Sequence, residues 1–339
     1  MSVRGDRVRL KDVAEHAGVS PKTVSNVLHD HRYVSTATRE KVEASLDALG
    51  YRVNLAARAL ASQRSGFIAL AIPGLDNPYY AELAQQVMKA AAAEDWIVLI
   101  EQTRSAEELE REVVQGAGAR LVDGIILQPD AISREDLTGR FAHRNLVLIG
   151  ESDVTGSGDH VAADPVAAAR ELVEHLLSRG RRRIATIGIS PHDRINASEL
   201  RYRGVSHSLH AAGLTLPREL MRTVPRFRHP EGFAAAQELI SLDQPPDAIV
   251  CFNDLLAIGA MHALREAGLR IPEDVAVVGF DDNAESRFSA PPLTSVAWDL
   301  EGLARECVRR LALRTDPASR EDPPVRLRIE HALRVRESS

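Results

Sequence analysis

Only two of the 339 residues are cysteine, Cys251 and Cys307. A disulfide framework and a Cys-rich zinc site are therefore excluded, and two buried free thiols are expected. No run of about 18 uninterrupted apolar residues occurs, which excludes a membrane-spanning segment of that kind. The opening MSVRGDRVRLKDV has charges where a secretory signal needs an apolar stretch, so the chain is read as cytoplasmic. Lysine is scarce, confined to Lys11, Lys22, Lys41 and Lys89; arginine carries nearly all the positive charge, which reflects codon bias rather than chemistry. G-x-S-x-G, P-loop, H-E-x-x-H and C-x-x-C signatures are all missing. No enzyme, no cofactor and no metal site are expected.

What is present is an uneven distribution of charge. The net value of −6 argues against a nucleic-acid partner until it is divided along the chain. Residues 1–64 hold 11 Lys and Arg against 7 Asp and Glu, a net +4; the rest hold 31 against 41, a net −10. A small basic head on a large acidic body points to an anionic partner for the head alone, chance variation being the other reading.

The head reads as three short helices. Leu10, Val13, Ala14 and Ala17 share one helical face, and Gly18-Val19-Ser20 breaks the run. Ser20 can cap a second helix with Pro21 at its first position, running to about Leu28. Ser35 caps a third, which carries Val42, Leu46 and Leu49 and ends at Gly50. Ala14, Gly18 and Val24 have the spacing of a helix-turn-helix: a small residue for close approach, a turn residue, and a filler between the helices. The second helix then presents Pro21, Lys22, Thr23, Ser25 and Asn26. Lys22 suits guanine and Asn26 adenine or phosphate, while Thr23 and Ser25 suit phosphate oxygens. A purely structural helical hairpin is the competing reading.

From Phe67 onward, apolar runs alternate with amphipathic stretches. FIALAIP, WIVLIEQ, GIILQ and LVLIG are separated by helical patterns near 80–94 and 106–119. The rhythm restarts at VAAD and continues through RIATIGI, AIVCF and VAVVGF, with helices expected at 165–179, 199–212, 230–240 and 255–267 and a strand at 221–225. This is the β-α-β order of parallel sheets covered on both faces, so the fold class is α/β with two successive units. The NLAARALAS segment between head and body is helix-prone but too short to hold alone in water.

The stretch LKDVAEHAGVSPKTVSNVLHDHRYVSTATREKVEASLDALGYRVNLAARALAS resembles the head-piece and hinge of the lactose/galactose-repressor family, LacI/GalR. LDNPYYAEL, RYRGV, CFNDLLAIGA, IPEDVAVVGFDD and PPLTSVAW resemble that family's effector domain, which is similar to type I periplasmic sugar-binding proteins. The resemblance implies a head over 1–53, a hinge helix over 54–64 and an effector-binding body over 65–339. One lobe would take 65–162 plus 293–325, the other 163–292 plus the C-terminal segment. It implies a repressor that binds a pseudo-palindromic operator as a homodimer, under control of a small-molecule effector, with a sugar or sugar derivative favoured. In the hinge, Leu60, following Arg58, matches the leucine that wedges into the minor groove; without the resemblance it reads as a linker leucine.

Carried over motif by motif, the effector-binding candidates are Tyr79, Tyr80, Glu151, Arg201, Asn253 and Asp281. Each falls near the carboxyl end of a strand, where open α/β sheets present their ligand sites. Arg201 and Asp281 read alternatively as an interdomain salt bridge, and Tyr80 as core. Trp298 departs from the family pattern, which places a polar residue after PLTSVA; it lines the pocket or caps the core. Asp254 and Asp282 are read as helix-start and turn residues. A metal at Asp281-Asp282 is disfavoured, because adjacent carboxylates on a strand end point opposite ways. The alternative from another class is a solute-binding protein or cleft enzyme with an incidental helical head.

Overall fold

The computed structural model describes residues 8–28, 33–51, 64–138, 145–151, 158–189, 196–316, 318–319 and 322–339. Arg58, Leu60 and nearly all of the expected hinge lie outside the described residues. Contacts divide the chain into two compact units, Met1–Ser65 and Gly66–Ser339.

The first unit is built from helices α1 (Leu10–Ala17), α2 (Pro21–Leu28) and α3 (Thr36–Leu49). Local chemistry sets their ends. Gly18 closes α1 in the left-handed region at φ 65°, and the Val19 amide donates to the Ala14 carbonyl at 3.0 Å. The Ser20 hydroxyl accepts from the Thr23 amide at 3.1 Å, and Ser35 does the same for Thr38 at 3.3 Å. Val13, Ala14, Ala17, Val24, Val27 and Val42 form the core between the three helices. Such a core is thin, and domains of this size are only marginally stable.

The second unit holds two sheets. In the first, strands β1 (Phe67–Ile72), β2 (Ile97–Gln102), β3 (Gly124–Leu127), β4 (Leu146–Ile149), β5 (Asp159–Ala162) and β11 (Arg326–Arg328) lie in the order β11-β5-β4-β3-β1-β2, all parallel. In the second, β6 (Ile184–Ile189), β7 (Met221–Thr223), β8 (Ala248–Cys251), β9 (Ala276–Asp281), β10 (Thr294–Trp298) and β12 (His331–Arg334) lie in the order β12-β10-β9-β8-β6-β7. Only β12 runs antiparallel, paired with β10. Helices Pro78–Ala92 and Leu300–Thr315 pack on the first sheet through Leu83, Val87, Leu303 and Leu311. Helices Pro165–Ser178 and Ala197–Ala211 cover one face of the second sheet, and His229–Ile240 and Asp254–Glu266 the other. Cys251 and Cys307 are buried and free. Among the described residues no helix is long and apolar enough to cross a membrane.

The lobe boundary differs from the expected one. Segment 293–325 was assigned to the first lobe, but β10 pairs with β9 in the second sheet, Thr294 opposite Val278. The chain crosses to the first lobe only after Trp298, and β11 keeps it there through Arg328, beside β5. An apolar strand carries no mark of which sheet will accept it, so the boundary was set by pairing partners far away in sequence.

Candidate functional site

In the head, α2 turns Val24 and Val27 into the core and leaves Pro21 and Lys22 exposed, with Thr23, Ser25 and Asn26 half-buried beside them. The five residues expected to face DNA thus lie on or beside the outer surface of one helix. The Thr23 hydroxyl shares a 2.9 Å hydrogen bond with that of Ser20. A positive helix N-terminus with an exposed lysine suits phosphate oxygens.

In the body, the second set of candidates gathers around Arg201, which is only 6% exposed. Its Nη1 donates to the carbonyl of Phe252, the residue before Asn253. The guanidinium lies 4.6 Å over the Phe280 ring and 5.8 Å from the centroid of Trp298. Those rings stack at 18° with centroids 6.3 Å apart. Nη2 is 3.7 Å from Glu151 Oε1 and 3.9 Å from Asp281 Oδ1. Both distances permit ionic attraction but are too long for hydrogen bonds. Nε is buried and has no hydrogen-bond partner among the described residues. The Trp298 indole donates to Asp281 Oδ1 at 3.2 Å, so this residue both lines the cluster and packs on the lobe's core.

Glu151 follows β4 of the first sheet, while Arg201, Asp281 and Trp298 belong to the second lobe; the Glu151–Arg201 pair therefore joins the lobes. Tyr79 packs against the cores of both, with Tyr80 edge-on at 5.0 Å. Burial raises the Tyr79 phenol, and the charges of Glu151 and Asp281 add to the rise. Tyr80 is raised likewise, by burial and then by Asp130. Burial also pushes the Glu151 and Asp281 carboxyls above the ordinary range, against the pull of Arg201. Two further links cross the lobes: Arg228 pairs with Asp76, and the Ala284 amide donates to Glu82 at 3.3 Å.

Asn253 stands somewhat apart. Its Oδ1 caps helix Asp254–Glu266 by accepting from Leu256 at 2.9 Å, and its Nδ2 donates to the Phe227 carbonyl at 3.2 Å. Asp281 and Asp282 face different partners, since Asp282 accepts from Arg336 at 2.5 Å and Arg287 at 3.4 Å. Among the described residues no group of three His, Cys, Asp or Glu side chains is placed to hold a metal ion. A cavity of about 710 Å³ opens on Asp281 and Trp298 and is lined further by Glu82, Gln86, Leu300 and His331. Arg201, Glu151, Asn253 and the two tyrosines do not line it. Phe227 and Phe280 were not singled out from sequence. Phe280 reads as one more apolar strand residue, and Phe227 sits in PRFRHP, which has no periodicity to expose it.

Comparison with known families divides the chain along the same lines. Residues 9–54 match the family described as bacterial regulatory proteins, lacI family, and residues 173–339 match the periplasmic binding protein-like domain. Fold and site thus define a regulator with a helix-turn-helix head and a two-lobed sensor body. The chain is 34% identical to the HTH-type transcriptional regulator CelR of Thermobifida fusca, with 99% of each covered. It is 30% identical to the HTH-type transcriptional regulator RegA of Clostridium saccharobutylicum, over 97% of this chain and 98% of that one. Among solved structures, the lac repressor dimer bound to operator and the anti-inducer ONPF matches with a TM-score of 0.83 and 29% identity, 98% of this chain and 99% of that one being covered. The chain belongs to the lacI family of bacterial regulatory proteins. It is a DNA-binding transcription regulator and not an enzyme, as its relatives are.

Proposed function

We propose that the chain represses transcription from a pseudo-palindromic operator, which it binds as a homodimer, under control of a sugar or sugar derivative held around Arg201. One observation carries the effector reading. Arg201 is buried between two carboxylates, yet among the described residues its Nε has no hydrogen-bond partner and its Nη2 reaches neither carboxylate at hydrogen-bond distance. A buried donor left unmade is costly, and ligand hydroxyls could donate to Glu151 and Asp281 while accepting from Arg201. Tyr79, Tyr80 and Trp298 supply apolar ring faces for a sugar, and Asn253 the remaining amide capacity. The relative solved as a CelR–cellobiose complex, 32% identical with a TM-score of 0.71 and 98% of this chain covered, makes cellobiose the first probe.

On the DNA side, Lys22 and Asn26 read base edges, Pro21, Thr23 and Ser25 approach the backbone, and Arg58 and Leu60 engage the minor groove. Dimerisation is supported by apolar side chains left in solvent: Phe288, 87% exposed, in one lobe, and Met88, Ile97 and Leu99 in the other. Two heads on a two-fold axis read two half-sites.

The test is a gel shift with the gene's own upstream DNA at increasing salt, repeated with cellobiose. Affinity should fall steeply with salt as phosphate contacts release counterions. Arg201→Ala should keep operator binding and lose any effector response. Operator binding that is absent at low salt, or calorimetry showing intact effector binding in Arg201→Ala, refutes the corresponding half of the proposal.

A further inference from the structure

Asp254 begins helix Asp254–Glu266, next to the capping Asn253, and is fully buried. It is bonded not within its own element but across the segment that joins β9 to β10. Its Oδ2 accepts from the Asn283 amide at 2.8 Å and from the Ser286 hydroxyl at 2.5 Å. Its Oδ1 accepts from the Ser295 hydroxyl at 2.6 Å. The Ser295 oxygen in turn accepts from the Asp282 amide at 3.1 Å. The carboxylate thus holds the turn at two points and the following strand β10 at a third, and the turn needs holding. Asp281 and Asp282 have φ of 103° and 51°, a conformation that side-chain-bearing residues adopt only when the surroundings over-determine it. Gly279 completes the fit: a Cβ there would lie 2.3 Å from Asp254 Oδ1. Burial, then the nearby charge of Asp281, push the Asp254 carboxyl well above the ordinary range.

We propose that Asp254 is a positioning residue for effector recognition: it ties the helix start that presents Asn253 to the strained turn that aims Asp281 at Arg201 and Trp298. This inference rests on the Arg201 cluster being the effector site. Among the described residues no hydrogen bond or ion pair joins Asp254 to Arg201, so it acts through Asp281. Releasing it lets the Asp281 turn relax, and the 3.2 Å bond from Trp298 to Asp281 loosens with it.

That bond supplies a readout that needs no effector, so its result stands whatever the ligand proves to be. The chain has two tryptophans, one in each lobe: Trp298 on Asp281 and Trp96 on Asp123. Full-length protein labelled with 5-fluorotryptophan gives two fluorine resonances, assigned with Trp298→Phe. Asp254→Ala should shift or broaden the Trp298 resonance and leave that of Trp96 in place. Asp254→Asn, which keeps one acceptor for the Asn283 amide, should produce a smaller change of the same kind. Should Asp254→Ala fail to fold, Ser286→Ala removes one of the three bonds without touching another bond of the turn and is read in the same way. A Trp298 resonance that stays put in a folded variant, or two resonances that move together, overturns the proposal: the first shows that Asp281 does not depend on Asp254, the second that Asp254 supports the whole body.

Discussion

Asp159 opens β5 without any exposure to solvent and faces two arginines of helix Leu300–Thr315. Arg310 reaches its oxygens at 2.9 and 3.1 Å and Arg314 at 3.0 and 2.7 Å, while the Val325 amide adds a bond at 3.0 Å. Burial works to raise this carboxyl, but the hydrogen bonds from Arg314 and Arg310 outweigh it and hold the group below the ordinary carboxylate range. A carboxyl lowered in the folded state contributes stability that is present above its unfolded value of about 3.9. That stability is lost as pH falls through the folded value. Asp159→Asn leaves two mostly buried guanidiniums facing a neutral amide, and breaking such a pair costs about 3–5 kcal/mol. Urea denaturation should show that loss near neutral pH and a weaker decline on acidification than in the parent. Equal stability of the two proteins would mean that the arginines repair themselves with water. Nothing in GDHVAAD announces this cluster, because its partners lie 151 and 155 residues away.

At the scale of elements, the helix ends were legible and the sheet edges were not. Caps are local chemistry: Ser20, Ser35 and Gly50 mark in sequence the ends the structure has. Because the head's core is thin, those caps should matter. Ser35→Ala removes the side-chain acceptor of the Thr38 amide, leaving it the Ser35 carbonyl at 3.0 Å, and should cost the head about 1 kcal/mol. The change is measurable as a lower melting temperature of the head and weaker operator binding at elevated temperature; an unchanged transition would mean that solvent satisfies the amide equally well. Strand neighbours are not local. WIVLIEQ reads like the other buried strands, yet β2 is the sheet's outer strand, and Ile97, Leu99 and Ile100 are exposed. The same blindness misplaced β10. The Arg201 cluster was legible only through resemblance to a family. Its members stand at positions 79, 151, 201, 281 and 298, and no spacing rule connects residues brought together from two lobes. Trp298 illustrates the limit: sequence left it between pocket and core, and the structure bonds it to Asp281 while it packs on the lobe's core.

For the whole molecule, the charge division and the lobe contacts become one argument about linkage. A body of net −10 repels DNA, so phosphate contacts are expected from the basic first 64 residues, and operator affinity should respond to the body only through its conformation. That conformation is set by groups that cross the lobes, and Glu151 on Arg201 is the buried one. Burial raises Glu151 and Asp281 above the ordinary carboxylate range. Groups raised in the folded state bind protons more readily there than in the unfolded chain, so their effect on stability has the opposite sign to that of Asp159: they favour folding as pH falls. Ligand hydroxyls, however, donate best to the ionised forms. Effector binding should therefore expel protons from the pair, and effector affinity should weaken as pH drops through the raised values. Calorimetry in buffers of different ionisation enthalpy reads the proton count directly. Release of protons that is reduced in Glu151→Gln is the expected result. Uptake of protons, or release unaffected by that variant, would place the titrating group elsewhere and remove Glu151 from the site. By reciprocity, any effector that shifts operator affinity must have its own affinity shifted by operator by the same factor. Lowering the pH should then weaken the effector without changing that ratio, unless the protonated pair also alters how the lobes meet.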